Sequence, residues 1–165
     1  MSKSIKLKNN LYLAYSSLAA NYCSMHVNGI ITATPNEAKF ISSYTLPINC
    51  GKFVANTSTG NLEIPKGTEA IEVTGMLCGS GNANARIRVI DEDNSEITYY
   101  NDISILIQPS GNTYWKQSLP SKIVELNKNK KHYVQLFISG YNGYNYNLND
   151  GYGTGASWIQ AKIIK

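Results

Sequence analysis

At 165 residues and 18.2 kDa the chain fits a single domain, read here as one β-sandwich over 1–165. Hydrophobic residues at 42% suffice for a core, while charged residues at 16% fall below the usual quarter. The apolar and aromatic residues are spread along the whole length, which excludes disorder, and no run nears the ~18 apolar residues of a membrane-spanning helix. Polarity is carried mainly by Asn, Ser, Thr, 12 Tyr and 13 Gly, the palette of a β-rich protein with long loops rather than of a helical bundle.

Ser4 to Lys8 alternate polar and apolar and predict a short strand ending at Asn9-Asn10. Leu11 to Met25 fits a strand or a short helix equally well. Residues 1–40 are accordingly read either as an N-terminal docking or irregular segment or as part of the same sandwich. Thr34-Pro35-Asn36-Glu37 is a turn or the first turn of a helix, and Phe40 to Ile48 reads as a strand closed by Pro47. Lys52 to Ala55 is extended, Asn56 to Gly60 is a polar loop, and Leu62 to Ile64 runs into the turn Pro65-Lys66-Gly67. Ala70 to Cys78 alternates Ile71 and Val73 against Glu72 and Thr74.

Arg86 to Ile90 alternates again, and Asp91-Glu92-Asp93-Asn94 is a hairpin turn with Ile97 to Tyr100 as the returning strand. Ile103 to Ile107, a piece opening at Tyr114-Trp115, Ser121 to Leu126 and Tyr133 to Ile138 continue the series. After a loop from Gly140 to Gly155, Ser157 to Ile164 sets Trp158, Gln160 and Lys162 against Ile159, Ala161 and Ile163. Both Trp115 and Trp158 are expected in the interior. About eight to ten short strands separated by turns predict an all-β, antiparallel sandwich.

The net charge of +4 arises from 15 Lys and Arg, only two of them Arg, against 11 acids. The lysines are dispersed apart from clusters at Lys3, Lys6, Lys8 and at Lys128, Lys130, Lys131, so they read as solvated surface and nucleic acid is not expected as a partner. Cys23, Cys50 and Cys78 form no CxxC pair and an odd number cannot all close within one chain. Reduced thiols are the expectation, with synthesis in a bacterial cytoplasm. His26 and His132 do not complete a zinc spacing. Leu11 to Ala20 follows three lysines but is too polar for a secretory h-region, and neither export signal nor membrane insertion is expected.

The chemistry concentrates in Tyr141-Asn142-Gly143-Tyr144-Asn145-Tyr146-Asn147-Leu148-Asn149-Asp150-Gly151-Tyr152. Sugars present apolar faces and hydroxyl rims, so a site for them needs flat aromatic surface beside amide and carboxylate groups. Tyrosine supplies such area at small entropic cost. Tyr141, Asn142, Tyr144, Asn145, Tyr146, Asp150 and Tyr152 are the candidate ligand-binding residues. The alternative is that these tyrosines pack on neighbours or on another subunit, with Asn-Gly and Asp-Gly as ordinary turn chemistry. Asp91 to Asn94 lacks the pattern of a calcium loop and reads as a solvated turn. No GxSxG, HExxH, phosphate-loop or dinucleotide motif occurs, so neither catalysis nor a cofactor or metal is expected. A glycosidase pair would have to come from Glu63, Glu72, Glu125 or Asp150.

Four segments carry a resemblance to the trimeric jelly rolls of the tumour necrosis factor and complement-type globular head group. These are Leu62-Glu-Ile-Pro-Lys-Gly-Thr before a strand, the approach from Tyr114-Trp115 to Val124, the hairpin Val124 to Ile138, and Gly153-Thr-Gly-Ala-Ser-Trp-Ile-Gln-Ala-Lys-Ile. The match spans roughly residues 50 to 165. It implies a jelly-roll sandwich, a homotrimer and a binding role. Ile5-Lys-Leu-Lys-Asn-Asn-Leu-Tyr12 is similar to the starts of small tail proteins of phages of Gram-positive bacteria. Together the resemblances imply a phage or prophage tail or receptor-binding protein of the virion or cell exterior, with a cell-surface glycan or other receptor as ligand. A structural coat component that meets other virion or surface proteins, or a polysaccharide-degrading enzyme, are the alternatives.

Overall fold

The computed structural model describes residues 21–35, 37, 39–45, 51–93, 103–107 and 114–165. They form twelve strands and no helix: β1 (Tyr22–His26), β2 (Ile31–Ala33), β3 (Lys39–Phe40), β4 (Val54–Asn56), β5 (Asn61–Ile64), β6 (Ala70–Gly81), β7 (Ala83–Asp91), β8 (Ile103–Ile107), β9 (Tyr114–Glu125), β10 (His132–Gly140), β11 (Tyr146–Leu148) and β12 (Trp158–Ile163). One sheet has the order β1-β12-β6-β11-β2 with β9 also paired to β6. The other runs β4-β5-β10-β7-β8 with β3 on β10. The strand pairs within both sheets are antiparallel, as the jelly-roll reading requires.

Period-two alternation decides which face each strand buries. Ile71, Val73 and Leu77 of β6, Ile159 and Ala161 of β12, and Met25 of β1 face Leu62, Ile64, Ile87, Val89, Val134, Leu136 and Ile138 of the other sheet in one core. The alternation predicted for β12 is present, but Ile159 and Ala161 take the buried side. Trp158, expected inside, lies half-buried on the outer face, because period two sets it opposite Ile159 and Ala161, which join the core. Trp115 is buried as expected.

The hairpin turn after Ile90 is tighter than a solvated loop. Asp91 is buried, accepts the Asp93 N–H at 3.0 Å, and takes Lys130 Nζ at 2.8 Å, a lysine that also reaches Asp93 at 2.7 Å. The expected returning strand at Ile97 to Tyr100 and the expected strand at Ser4 to Lys8 lie outside the described residues. Within them the partner of β7 is β8, with Ala83 opposite Ile107 and Ile87 opposite Ile103. Cys23 is disulfide-bonded, which corrects the expectation of reduced thiols: an odd count forbids complete pairing but not one bridge. Cys78 is free and buried.

Candidate functional site

Three elements absent from the sequence expectations build one end of the sandwich. The first is β11, inside the stretch read as a loop; it adds to β6 with Tyr146 opposite Gly81 and Leu148 opposite Gly79. A Cβ at Gly79 would come within 2.3 Å of the Asn147 carbonyl, and one at Gly81 within 2.2 Å of the Asn145 carbonyl, so both glycines are required by the closeness of the two backbones. The second is β2, which pairs with the other edge of β11. The third is the turn at Asn149, buried and at φ 65°. Its amide donates to Val27 O and Gly29 O, both at 2.9 Å, and its Oδ1 accepts the Ser157 N–H at 2.8 Å.

A groove of about 310 Å³ opens between β11, the end of β6 and the start of β9, lined by Ser80, Gly81, Tyr114, Tyr144, Asn145, Asn147 and Asp150. This is at the small end of the range for ligand pockets, about 300–1,000 Å³. Tyr114 and Tyr144 stand on it 58% and 57% exposed. Tyr152, 42% exposed, meets Tyr114 edge to face at 6.4 Å between centroids. The polar floor is wired together: Ser80 Oγ donates to Asp150 Oδ2 at 2.6 Å, Asn147 Nδ2 reaches Ser80 Oγ at 3.5 Å, and Thr32 Oγ1 donates to Asn147 Oδ1 at 2.8 Å.

Of the candidate ligand residues, Tyr144, Asn145 and Asp150 come together in this groove, with Tyr152 flanking it through Tyr114. Tyr141 and Asn142 sit in the β10–β11 turn, Asn142 at φ 56°, and do not line it. Tyr146 is fully buried: it stacks on Trp115 at 5.2 Å and 19°, and its hydroxyl reaches Cys78 O at 3.3 Å. Burial pushes its phenol pKa far up, so it serves the core as a neutral aromatic. Ser80, Gly81, Tyr114 and Asn147 are the lining residues that sequence reasoning missed. Asn147 was within the segment but not singled out; the other three are brought beside it only by the pairing of β6 with β9 and β11, which no local pattern encodes.

Elsewhere, a recess of about 480 Å³ at the opposite end of β6 is lined by Glu69, Glu125, Lys128 and Lys165 among others. Lys128 and Lys165 hold Glu69 below the ordinary carboxylate range from 3.2 and 3.1 Å. On the outer face of β1, Ser24 Oγ lies 2.8 Å from His26 Nε2, and His26 Nδ1 lies 2.8 Å from Gly155 O. A carbonyl can only accept, so Nδ1 carries the proton and Nε2 takes the Ser24 hydroxyl. The spacing is that of a nucleophile and base, but Ser24 is buried on a sheet face. No group of three or more His, Cys, Asp and Glu that could hold a metal occurs among the described residues.

Two antiparallel six-stranded sheets, with long β6, β7, β9 and β10, form a jelly-roll sandwich. The chain is similar to the structure of Eiger TNF from S. frugiperda, with a TM-score of 0.57 and 11% identity over 88% of this chain and 92% of that one. No family model matches the sequence, and no curated protein matches it. The likeness is one of fold.

Proposed function

We propose that the protein is a non-catalytic binding domain that assembles as a homotrimer and recognises a cell-surface glycan in the groove beside β11. The observation that carries this reading is the pair Tyr114 and Tyr144, more than half exposed, standing over a floor of hydroxyl, amide and carboxylate. Large exposed aromatic rings have a hydration cost unless something covers them, and a pyranose ring offers an apolar face and a hydroxyl edge to match. Among the described residues the groove lining contains neither His nor Cys and a single carboxylate, a set suited to binding rather than to acid–base or nucleophilic chemistry.

The outer face of the sheet built on β6 supports assembly. Register places Tyr22, Lys162, Glu72 and Ile123 in one row and His26, Trp158, Met76 and Ser118 in another. Ile123 is 60% exposed. The other sheet instead turns Arg86, Arg88, Tyr133 and Gln135 outward, with Arg88 over the Phe137 ring at 4.8 Å. Trp158, Met76 and the exposed Ile123 are the apolar groups this face offers to a subunit contact, and cyclic symmetry closes the assembly. Three grooves on one trimer convert weak single-site sugar affinity into avidity.

A disulfide at Cys23 supports residence outside a reducing cytosol. The phage or prophage setting rests on the similarity of Ile5 to Tyr12 alone. A glycan array probed with the protein and with the Tyr114→Ala/Tyr144→Ala double variant tests the reading. Retained glycans that the double variant loses, with an unchanged circular-dichroism spectrum, support it; equal retention by both, or none by either, overturns it.

A further inference from the structure

Accepting the groove as the glycan site, its hydrogen-bond polarity narrows the ligand further. The floor is a directional relay. Thr32 Oγ1 gives its proton to Asn147 Oδ1, which fixes that amide's orientation; Asn147 Nδ2 points at Ser80 Oγ; Ser80 gives its only proton to Asp150 Oδ2. Every step runs towards the carboxylate, so the chain of donors ends in an acceptor. Asp150 Oδ1 accepts no hydrogen bond among the described residues, and Asp150 lines the groove. Among the described residues no Lys or Arg lines it; Lys116, the next basic residue along β9 from Tyr114, is level with Cys78 and outside the lining.

Among the described residues the site therefore presents one carboxylate acceptor and two exposed tyrosine rings. An ammonium group satisfies both: it donates a charge-assisted hydrogen bond to a carboxylate and is attracted to the negative face of an aromatic ring. A sugar carboxylate or sulfate would instead meet Asp150 unpaired. We infer that the groove selects a saccharide carrying a free ammonium, that is, an amino sugar without its N-acetyl group, over its acetylated and acidic counterparts. This runs against the protein's net charge of +4, which taken alone would favour anionic polymers.

The test uses the whole protein, isotope-labelled, titrated with a tetramer of glucosamine and with its fully N-acetylated counterpart at a pH that keeps the amines protonated. The expected result is perturbation of the Ser80, Asn145, Asn147 and Asp150 resonances by both, with the amine tetramer binding about tenfold more tightly. Asp150→Asn should abolish that preference while keeping binding of the acetylated tetramer. Ser80→Ala, which breaks the relay without touching the charge, should reduce it. Equal or tighter binding of the acetylated tetramer, or a preference that survives Asp150→Asn, overturns the ammonium inference and leaves the groove reading standing. Perturbations confined to other surfaces, or none with either tetramer, overturn the inference and the groove reading together.

Discussion

Tyr146 lies flat against Trp115, ring centroids 5.2 Å apart, and each sends its polar tip to the backbone of β6, the indole N–H to Gly81 O at 2.8 Å and the phenol to Cys78 O at 3.3 Å. The pair fixes the strand that floors the groove. Truncation of Tyr146 to Ala should cost about 3–5 kcal/mol, as for other buried aromatics. Tyr146→Phe keeps the stack and loses one long hydrogen bond, so about 0.5–1.5 kcal/mol is expected. Urea unfolding monitored by near-ultraviolet circular dichroism separates the two. A Tyr146→Ala variant of wild-type stability would contradict the packing described.

Asn149 holds three backbone groups from two distant parts of the chain, Val27 O, Gly29 O and Ser157 N. Its positive φ makes Asn149→Gly the clean test, since glycine accepts that backbone conformation and only the side-chain bonds are lost. The Ser157 N–H loses its acceptor while Val27 O keeps the Gly155 N–H, so a loss of about 1–3 kcal/mol is expected. The same denaturation measurement checks it, and faster hydrogen exchange at the Ser157 amide should accompany it.

Sequence reading located β6 and β10 because their burial alternates residue by residue from Ile71 to Leu77 and from Tyr133 to Ile138, but it split β9, whose pattern does not alternate, into two pieces. It singled out the tyrosine-rich segment, but not which rings face out. Tyr144 and Tyr146 look identical in a loop. Their fates diverge only because Gly79 and Gly81, sixty-odd residues earlier, leave room for β11 to close against β6. Tyr114 and Ser80 were invisible as site residues since their role comes from register, which is long-range. Trp158 was assigned inward because it alternates within a strand; the alternation is there, but its phase, set by which residues meet the opposite sheet, puts Ile159 and Ala161 inside instead.

His132 is fully buried on β10 with neither ring nitrogen hydrogen-bonded, beside Asp91, Lys130 and Glu92. Burial lowers its pKa, with Asp91 and Glu92 opposing and Lys130 adding to the shift. The unfolded chain therefore takes up a proton near pH 6.5 that the folded chain refuses, so stability contributed by neutral His132 is complete above that pH and is lost as pH falls below it. His132→Phe should flatten the acid limb of a melting-temperature profile between neutral pH and pH about 5. An unchanged slope would contradict the assignment, and retained stability at neutral pH confirms that the variant folds.

Trp158 and Met76 sit opposite one another at the centre of the face assigned to subunit contact. Trp158→Lys replaces an apolar ring in that contact with a hydrated charge, and dissociation to a mass of 18.2 kDa by light scattering is expected, against three times that for the parent. A trimer that survives the substitution would move the contact to another surface.

Hydrogen–deuterium exchange of the assembled protein, with and without a glycan retained on the array, tests the central claim most directly. The account predicts slowed exchange at Gly79 to Gly81 and across Tyr144 to Tyr152, with the outer faces of both sheets unchanged. Slowed exchange centred instead on the recess of Glu69, Lys128 and Lys165, or on the face of Arg86 and Arg88, would contradict it.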